Sequence, residues 1–239
     1  MEPKVIYEDK NLIVINKPSG LLVHATNKNE ADTVVDWVIK KYPEIKGVGD
    51  GGRDGRPLHE ATERHGIVHR LDKETSGLLV IARNSLSYER LKDLFRTRQI
   101  QKKYYALVWG SPQQNRGVIK KDIKAYKGKR QTVEVYSQTK TSKARASETH
   151  WQVIKQYKEY ALMDVQPLTG RTHQIRVHLD SIGHPVVCDK LYGKKKRCPS
   201  GLGRLFLHAY FLRIPFDKNT VLEFEEEMPK DLSNFLKSI

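Results

Sequence analysis

Two stretches of the chain carry residue types and spacings suited to chemistry. The first is Val68-His69-Arg70-Leu71-Asp72, followed by Lys73-Glu74-Thr75-Ser76-Gly77. Read as a strand, it alternates Val68, Arg70 and Asp72 on one face with Ile67, His69 and Leu71 on the other. A guanidinium and a carboxylate then point the same way near the strand's end. The turn after them contains a glycine, where a backbone can approach a ligand closely. A plain surface Arg–Asp pair fits the same spacing. The second stretch is Gln166-Pro167-Leu168-Thr169-Gly170-Arg171-Thr172-His173-Gln174-Ile175-Arg176. It reads as a Gly-containing turn that opens a helix over 171–182, with Arg171, His173 and Arg176 in its first turn. Free N–H groups at a helix start attract anions, and two guanidiniums add fixed charge and paired donors. Helix capping with solvent-facing charges competes with that reading.

Other chemistries find less support. His173 and His178 stand five residues apart, so on a helix they point about 140° apart and do not converge on a metal. Cys188 and Cys198 are too few for a disulfide framework and show no zinc spacing; reduced thiols in a cytosol-like compartment are expected. No Gly-x-x-x-x-Gly-Lys-Ser/Thr run is present, the glycines of 47–55 lack dinucleotide-binding spacing, and Ser76 lies outside any Gly-x-Ser-x-Gly. A generic hydrolase built on Asp72 and a histidine has no recognisable constellation behind it.

These residues sit in a basic chain. Lys and Arg number 43 against 28 Asp and Glu in 239 residues, a net charge of +15. The charge is concentrated: Lys120, Lys121, Lys124, Lys127, Lys129, Arg130, Lys140, Lys143 and Arg145 fall between 118 and 146, and Lys190, Lys194, Lys195, Lys196, Arg197 and Arg204 fall between 190 and 204. Two runs with few matching acids favour a polyanion track, above all nucleic acid. The sequence has neither an apolar run of membrane-spanning length nor a signal-peptide layout, so a cytoplasmic protein is expected.

The elements that must carry the site are strands more often than helices. Strands are expected at 5–7, 12–15, 21–23, 66–72, 78–82, 104–108, 205–207, 212–214 and 220–224, with a meander over 118–165 that ends in a hairpin around 157–159. Helices are expected at 33–41, 85–95, 171–182 and after Pro229. Residues 47–66, rich in Gly, Asp and Arg, read as a surface loop. Strands that follow one another directly imply an α+β fold with a mostly antiparallel, mixed sheet flanked by helices and loops. No low-complexity linker divides the chain, so a single domain over 1–239 is expected.

Three blocks of this sequence, in this order, resemble the RluA-type RNA pseudouridine synthases. The opening block is Asp9-Lys10-Asn11-Leu12-Ile13-Val14-Ile15-Asn16-Lys17-Pro18-Ser19-Gly20-Leu21-Leu22-Val23-His24. The second is His69-Arg70-Leu71-Asp72-Lys73-Glu74-Thr75-Ser76-Gly77-Leu78-Leu79. The third runs from Leu168-Thr169-Gly170-Arg171-Thr172-His173-Gln174-Ile175-Arg176-Val177-His178 through Gly183-His184-Pro185 to Tyr192-Gly193. The resemblance implies the pseudouridine synthase fold and isomerisation of uridine to pseudouridine within ribosomal or transfer RNA, by a monomer needing no cofactor or metal. It implies Asp72 as the catalytic aspartate, Tyr104 (with Tyr105 as its rival) as the tyrosine packed on the target base, Arg176 as the basic partner of the aspartate, and Arg70 as the side chain that replaces the flipped base. A guanidinium keeps a carboxylate ionised in a desolvated pocket. Stacking on a tyrosine returns about 1–3 kcal/mol of the cost of unstacking a base. Many relatives carry a small RNA-binding domain ahead of the opening block. Only eight residues precede that block here, so RNA selection is expected to fall on the catalytic domain, its two basic runs and the 47–64 loop. A non-catalytic RNA-binding or ribosome-assembly factor that keeps the fold is the alternative.

Overall fold

The computed structural model describes residues 2–25, 32–49, 64–126, 129–133, 144–193 and 196–239. The chain divides into two compact units, 1–100 with 212–226, and 101–211 with 227–239.

The first unit contains β1 (Lys4–Glu8), β2 (Leu12–Lys17), α1 (Val34–Lys41), a single 3-10 turn (Pro43–Ile45), β3 (Ser76–Ala82) and α2 (Ser85–Arg96). β2 lies between β1 and β3, antiparallel to both. Leu12, Ile13, Val14 and Ile15 are fully buried, and so is every residue of β3. Both faces of these strands are covered, which is why they read as unbroken apolar runs rather than as alternation. Each buried Leu or Ile contributes about 1.5–3 kcal/mol. Thr33 starts α1 with a reciprocal capping box to Asp36, and Asn84 caps α2 by accepting from the Ser87 amide at 2.9 Å.

Two expected strands of this unit do not form. The carbonyls of Leu22 and Val23 are taken by the amides of Val34 and Val35 at the start of α1, so 21–23 has no ladder to join. Residues 68–72 form no strand; the bridge to β3 is made just before them, between Ile67 and Ile81. The Val80 amide donates instead to Nε2 of His69, whose ring stacks on Phe95. A side-chain nitrogen thus stands where a strand carbonyl would have been. The alternation survives as burial all the same: Ile67 and Leu71 are buried and Arg70 is exposed.

The second unit contains β4 (Gln101–Trp109), β5 (Arg116–Lys120), β6 (Asp122–Tyr126), β7 (Lys129–Val133), β8 (Glu148–Gln156), β9 (Tyr160–Pro167), α3 (Gln174–Ser181) and α4 (Lys230–Lys237). β4, β9, β8 and β5 pair in that order, each antiparallel to the next, while β6 and β7 form a separate ribbon. β10 (Leu207–Pro215) is one nine-residue strand where two short ones were expected. The polar tips of His208 and Tyr210, both buried, interrupt its apolar pattern in sequence but not its ladder. Its first five residues belong to the second unit and its last four to the first, and β11 (Val221–Glu225) pairs with it. The core of the second unit gathers Leu107, Leu162, Val187, Leu202 and Phe206 with Leu232 and Phe235 of α4. These elements make an α+β fold whose sheet is mostly antiparallel, with four helices among the described residues. No helix of those residues is long and apolar enough to cross a membrane.

Two further expectations are corrected. Cys188 and Cys198 are joined in a disulfide with their Cα atoms 4.5 Å apart, not left as thiols. α3 starts at Gln174 rather than 171, because His173 takes a left-handed conformation (φ +56°). The 47–66 loop lies largely outside the described residues.

Gly66 closes the approach to the 67–72 segment. Its amide donates to Val48 and its carbonyl accepts from Ala82, both at 2.9 Å. Its φ is +78°, and an added Cβ would lie 2.2 Å from the Ala82 carbonyl oxygen. Gly66→Ala is therefore expected to destabilise the protein by about 2–4 kcal/mol, read from urea unfolding at unchanged slope.

Candidate functional site

In the first unit, Asp72 is half-buried at the head of a turn, its carbonyl accepting from the Thr75 amide at 3.1 Å. That turn is tied to the loop after β2. The Gly20 amide donates to the Lys73 carbonyl at 2.8 Å, and Ser19 Oγ donates to the Glu74 carbonyl at 2.7 Å. Lys17 ends β2 fully buried, and its Nζ donates to the carbonyls of Pro18, Leu21 and Lys73 at 2.8, 2.8 and 3.1 Å. An ammonium has three N–H donors, and each has an oxygen here. The opening and second sequence blocks are thus one hydrogen-bonded structure.

Arg70 is exposed two residues before Asp72. Its charge reaches His24: burial, then the charges of Arg70, Arg64 and His65, push that imidazole down to about 4. His24 is neutral at neutral pH as a result, and this corner keeps its positive charge on the arginines.

In the second unit, Tyr104 is 8% exposed. β4 alternates Tyr104, Ala106 and Val108 on one face with Tyr105, Leu107 and Trp109 on the other. Tyr105 stacks on Tyr210 with ring centroids 3.9 Å apart and packs against the core of this unit. Tyr104 stands in a row with Val165 and Trp151. Thr149, two residues before Trp151, receives α3 on the same face: Gln174 Nε2 donates to its Oγ1 at 3.0 Å, and His178 Nδ1 lies 2.9 Å from it. Tyr104 and α3 therefore share one face of this sheet. His178 is wholly engaged by Thr149, Ser147 and the Lys121 carbonyl, as a packing residue. Among the described residues no group of three His, Cys, Asp or Glu could hold a metal.

Arg176, in the first turn of α3, is buried and makes a two-pronged ion pair with Asp189. Nε donates to Oδ2 at 2.7 Å and Nη2 to Oδ1 at 2.8 Å. Asp189 Oδ1 also accepts from the amides of Leu191 and Tyr192, and the guanidinium lies over the Tyr192 ring. Burial pushes the Asp189 carboxyl up. The bonds and charge of Arg176 and the two amides outweigh that and hold it below the usual carboxylate range.

The first unit carries Arg70, exposed, and Asp72, half-buried, on the segment before β3, and the second sets Tyr104 and the helix of Arg176 on one face of its sheet. Three residues escaped the sequence reading. Lys17 and Asp189 lie inside the quoted blocks but carry no sign of burial in their spacing. Lys102 shares the β4 face of Tyr104, with Nζ 3.9 Å from where a Cβ on Gly170 would stand, and burial pushes it down to about 8. Of the basic runs, Lys120 is paired with Glu148 and Arg204 with Asp231, which reduces their free charge. Lys127, Lys140, Lys143, Lys194 and Lys195 lie outside the described residues.

Lys17→Met is expected to strip the Pro18 and Leu21 carbonyls of their ammonium donor and to leave the Lys73 carbonyl with the Gly20 amide alone. A loss of about 3 kcal/mol in chemical denaturation, with faster hydrogen exchange at the Gly20 amide, is the expected outcome.

Comparison with known proteins places this geometry in a family. Residues 11–181 match the family model described as RNA pseudouridylate synthase. A protein of Borreliella burgdorferi named ribosomal large subunit pseudouridine synthase D is 37% identical over 98% of this chain and 69% of its own length. An uncharacterised RNA pseudouridine synthase of Synechocystis is 34% identical over 88% of this chain, which spans 60% of that relative. Among solved structures, human RNA pseudouridylate synthase domain containing 4 superposes with a TM-score of 0.72 at 29% identity, over 98% of this chain and 92% of that one. With the family model covering most of its length, and relatives of this identity aligned over nearly all of this chain, the chain belongs to the RNA pseudouridine synthases, a family of isomerases.

Proposed function

We propose that this chain converts uridine to pseudouridine in large-subunit ribosomal RNA, with Asp72 as its catalytic carboxylate. The observation that carries the reading is the fastening of the Asp72 turn by Lys17, Ser19 and Gly20, which holds one acid steady just before β3. The choice of ribosomal over transfer RNA follows the names of the relatives, several of which are ribosomal large subunit synthases.

The reaction is an isomerisation. The N1–C1′ bond breaks, uracil turns in place, C5 bonds to C1′, and the proton lost from C5 is balanced by one gained at N1. Asp72 acts on the sugar as nucleophile or base. Tyr104 packs on the uracil; the commitment of Tyr105 to Tyr210 and the core supports this choice. Arg176 supplies the cation that favours the ionised acid. Exposed Arg70 fills the gap left by the flipped base, and Lys and Arg of the 118–146 and 190–204 segments hold phosphates without reading sequence. The whole sequence, 1–239, works as one catalytic domain.

Asp72→Asn should abolish pseudouridine formation in a tritium-release or carbodiimide assay while changing RNA affinity by less than about threefold. Turnover near wild type in that variant would remove the reading, and an unchanged pseudouridine map in a deletion strain would remove the ribosomal assignment. RNA affinity should fall at least about tenfold between 50 and 200 mM salt, because several phosphate contacts release counterions. A flat response would exclude the basic runs as the track.

A further inference from the structure

The 186–193 segment holds more structure than a connection needs. The Val187 amide donates to the Leu107 carbonyl at 2.8 Å, Val186 bridges Val108, and the Phe206 amide donates to the Val187 carbonyl at 3.1 Å. It is therefore fastened to β4, the strand that carries Tyr104. Cys188 is cross-linked to Cys198, and the Asp189 amide donates back to the Val186 carbonyl. Asp189 leaves this anchored stretch with its side chain fully buried and meets Arg176 with both carboxylate oxygens. The amides of Leu191 and Tyr192 hold Oδ1 from the other side. Asp189 is thus itself over-determined, and it fixes the plane of a guanidinium borne on a different element.

We propose that Asp189 is a positioning residue for the isomerisation: it locks the Arg176 guanidinium in one orientation relative to the β4 strand of Tyr104. This rests on the reading that Arg176 serves the reaction. A buried arginine without such a mate has many rotamers, and a misplacement of about 1 Å in an active site lowers the rate by roughly a hundredfold. Asp189 does not touch the substrate. Its effect falls on the chemical step and leaves RNA binding alone.

The test uses the full chain and single-turnover conversion of an RNA substrate, with RNA affinity measured in parallel. Asp189→Asn is expected to slow conversion by about a hundredfold with RNA affinity within about threefold of wild type. Asp189→Glu keeps the buried charge and so guards against a failure to fold. It shifts the carboxylate by one methylene and is expected to slow conversion at least about tenfold. In the Asp189→Asn, Arg176→Met double variant, the rate should equal that of Arg176→Met alone, since a residue acting through Arg176 has nothing further to lose. Wild-type conversion by the Asp189→Glu variant, or losses that multiply in the double variant, would overturn the proposal. Arg176→Met and Asp72→Asn serve as controls. If both are inactive while the Asp189 variants are unaffected, only the role of Asp189 fails; if either control converts RNA at the wild-type rate, the functional reading fails with it.

Discussion

A buried ammonium organises the first unit. Lys17 lies at the end of a strand that opens with four buried apolar residues, where an uncompensated charge is strongly disfavoured. It is tolerated because three carbonyl oxygens replace its water, and those oxygens belong to two separate loops. The charge therefore does more than survive burial. It ties the 18–21 loop and the 72–75 turn to one relative arrangement, since moving either takes an acceptor from a buried cation. The Lys73 carbonyl accepts from both Lys17 and the Gly20 amide, so the residue beside Asp72 is the most constrained point of the turn.

The second unit applies the same logic with opposite charges in contact. Arg176 and Asp189 are both buried, and a buried ion pair is weak evidence for stability, because desolvation offsets the attraction. What such a pair does supply is orientation: two parallel hydrogen bonds fix a guanidinium plane as a single contact cannot. The amides of Leu191 and Tyr192 complete the arrangement, so each carboxylate oxygen is occupied. A hydrophobic pair of equal volume would pack as well and aim nothing.

Charge on the surface follows a different rule. The two basic runs look uniform in sequence, yet Lys120 and Arg204 are paired with Glu148 and Asp231, and the ammonium of Lys196 lies 5.0 Å from the centre of the Trp109 ring. Exposed pairs of this kind are worth little to stability. They do lower the charge presented to a polyanion, so phosphate contacts rest on fewer cations than the run counts suggest.

The sequence alone determined the elements whose pattern is local: the doubly buried β2 and β3, the amphipathic α2, and the turn that follows Asp72. It also determined the family, because the three blocks carry enough specific residues. Tertiary structure decided what depends on partners far along the chain. Residues 68–72 have the alternation of a strand, but His69 occupies the amide that a ladder would need. The start of α3 depends on His173 turning left-handed, which spacing does not reveal. Cys188 and Cys198 form a bond only because the fold sets their Cα atoms 4.5 Å apart. Tyr104 and Tyr105 are equivalent in sequence; β4 faces them oppositely, and Tyr210 claims the second. Lys17 and Asp189 are ordinary polar residues on paper, since burial is a property of what surrounds a side chain and not of the side chain itself.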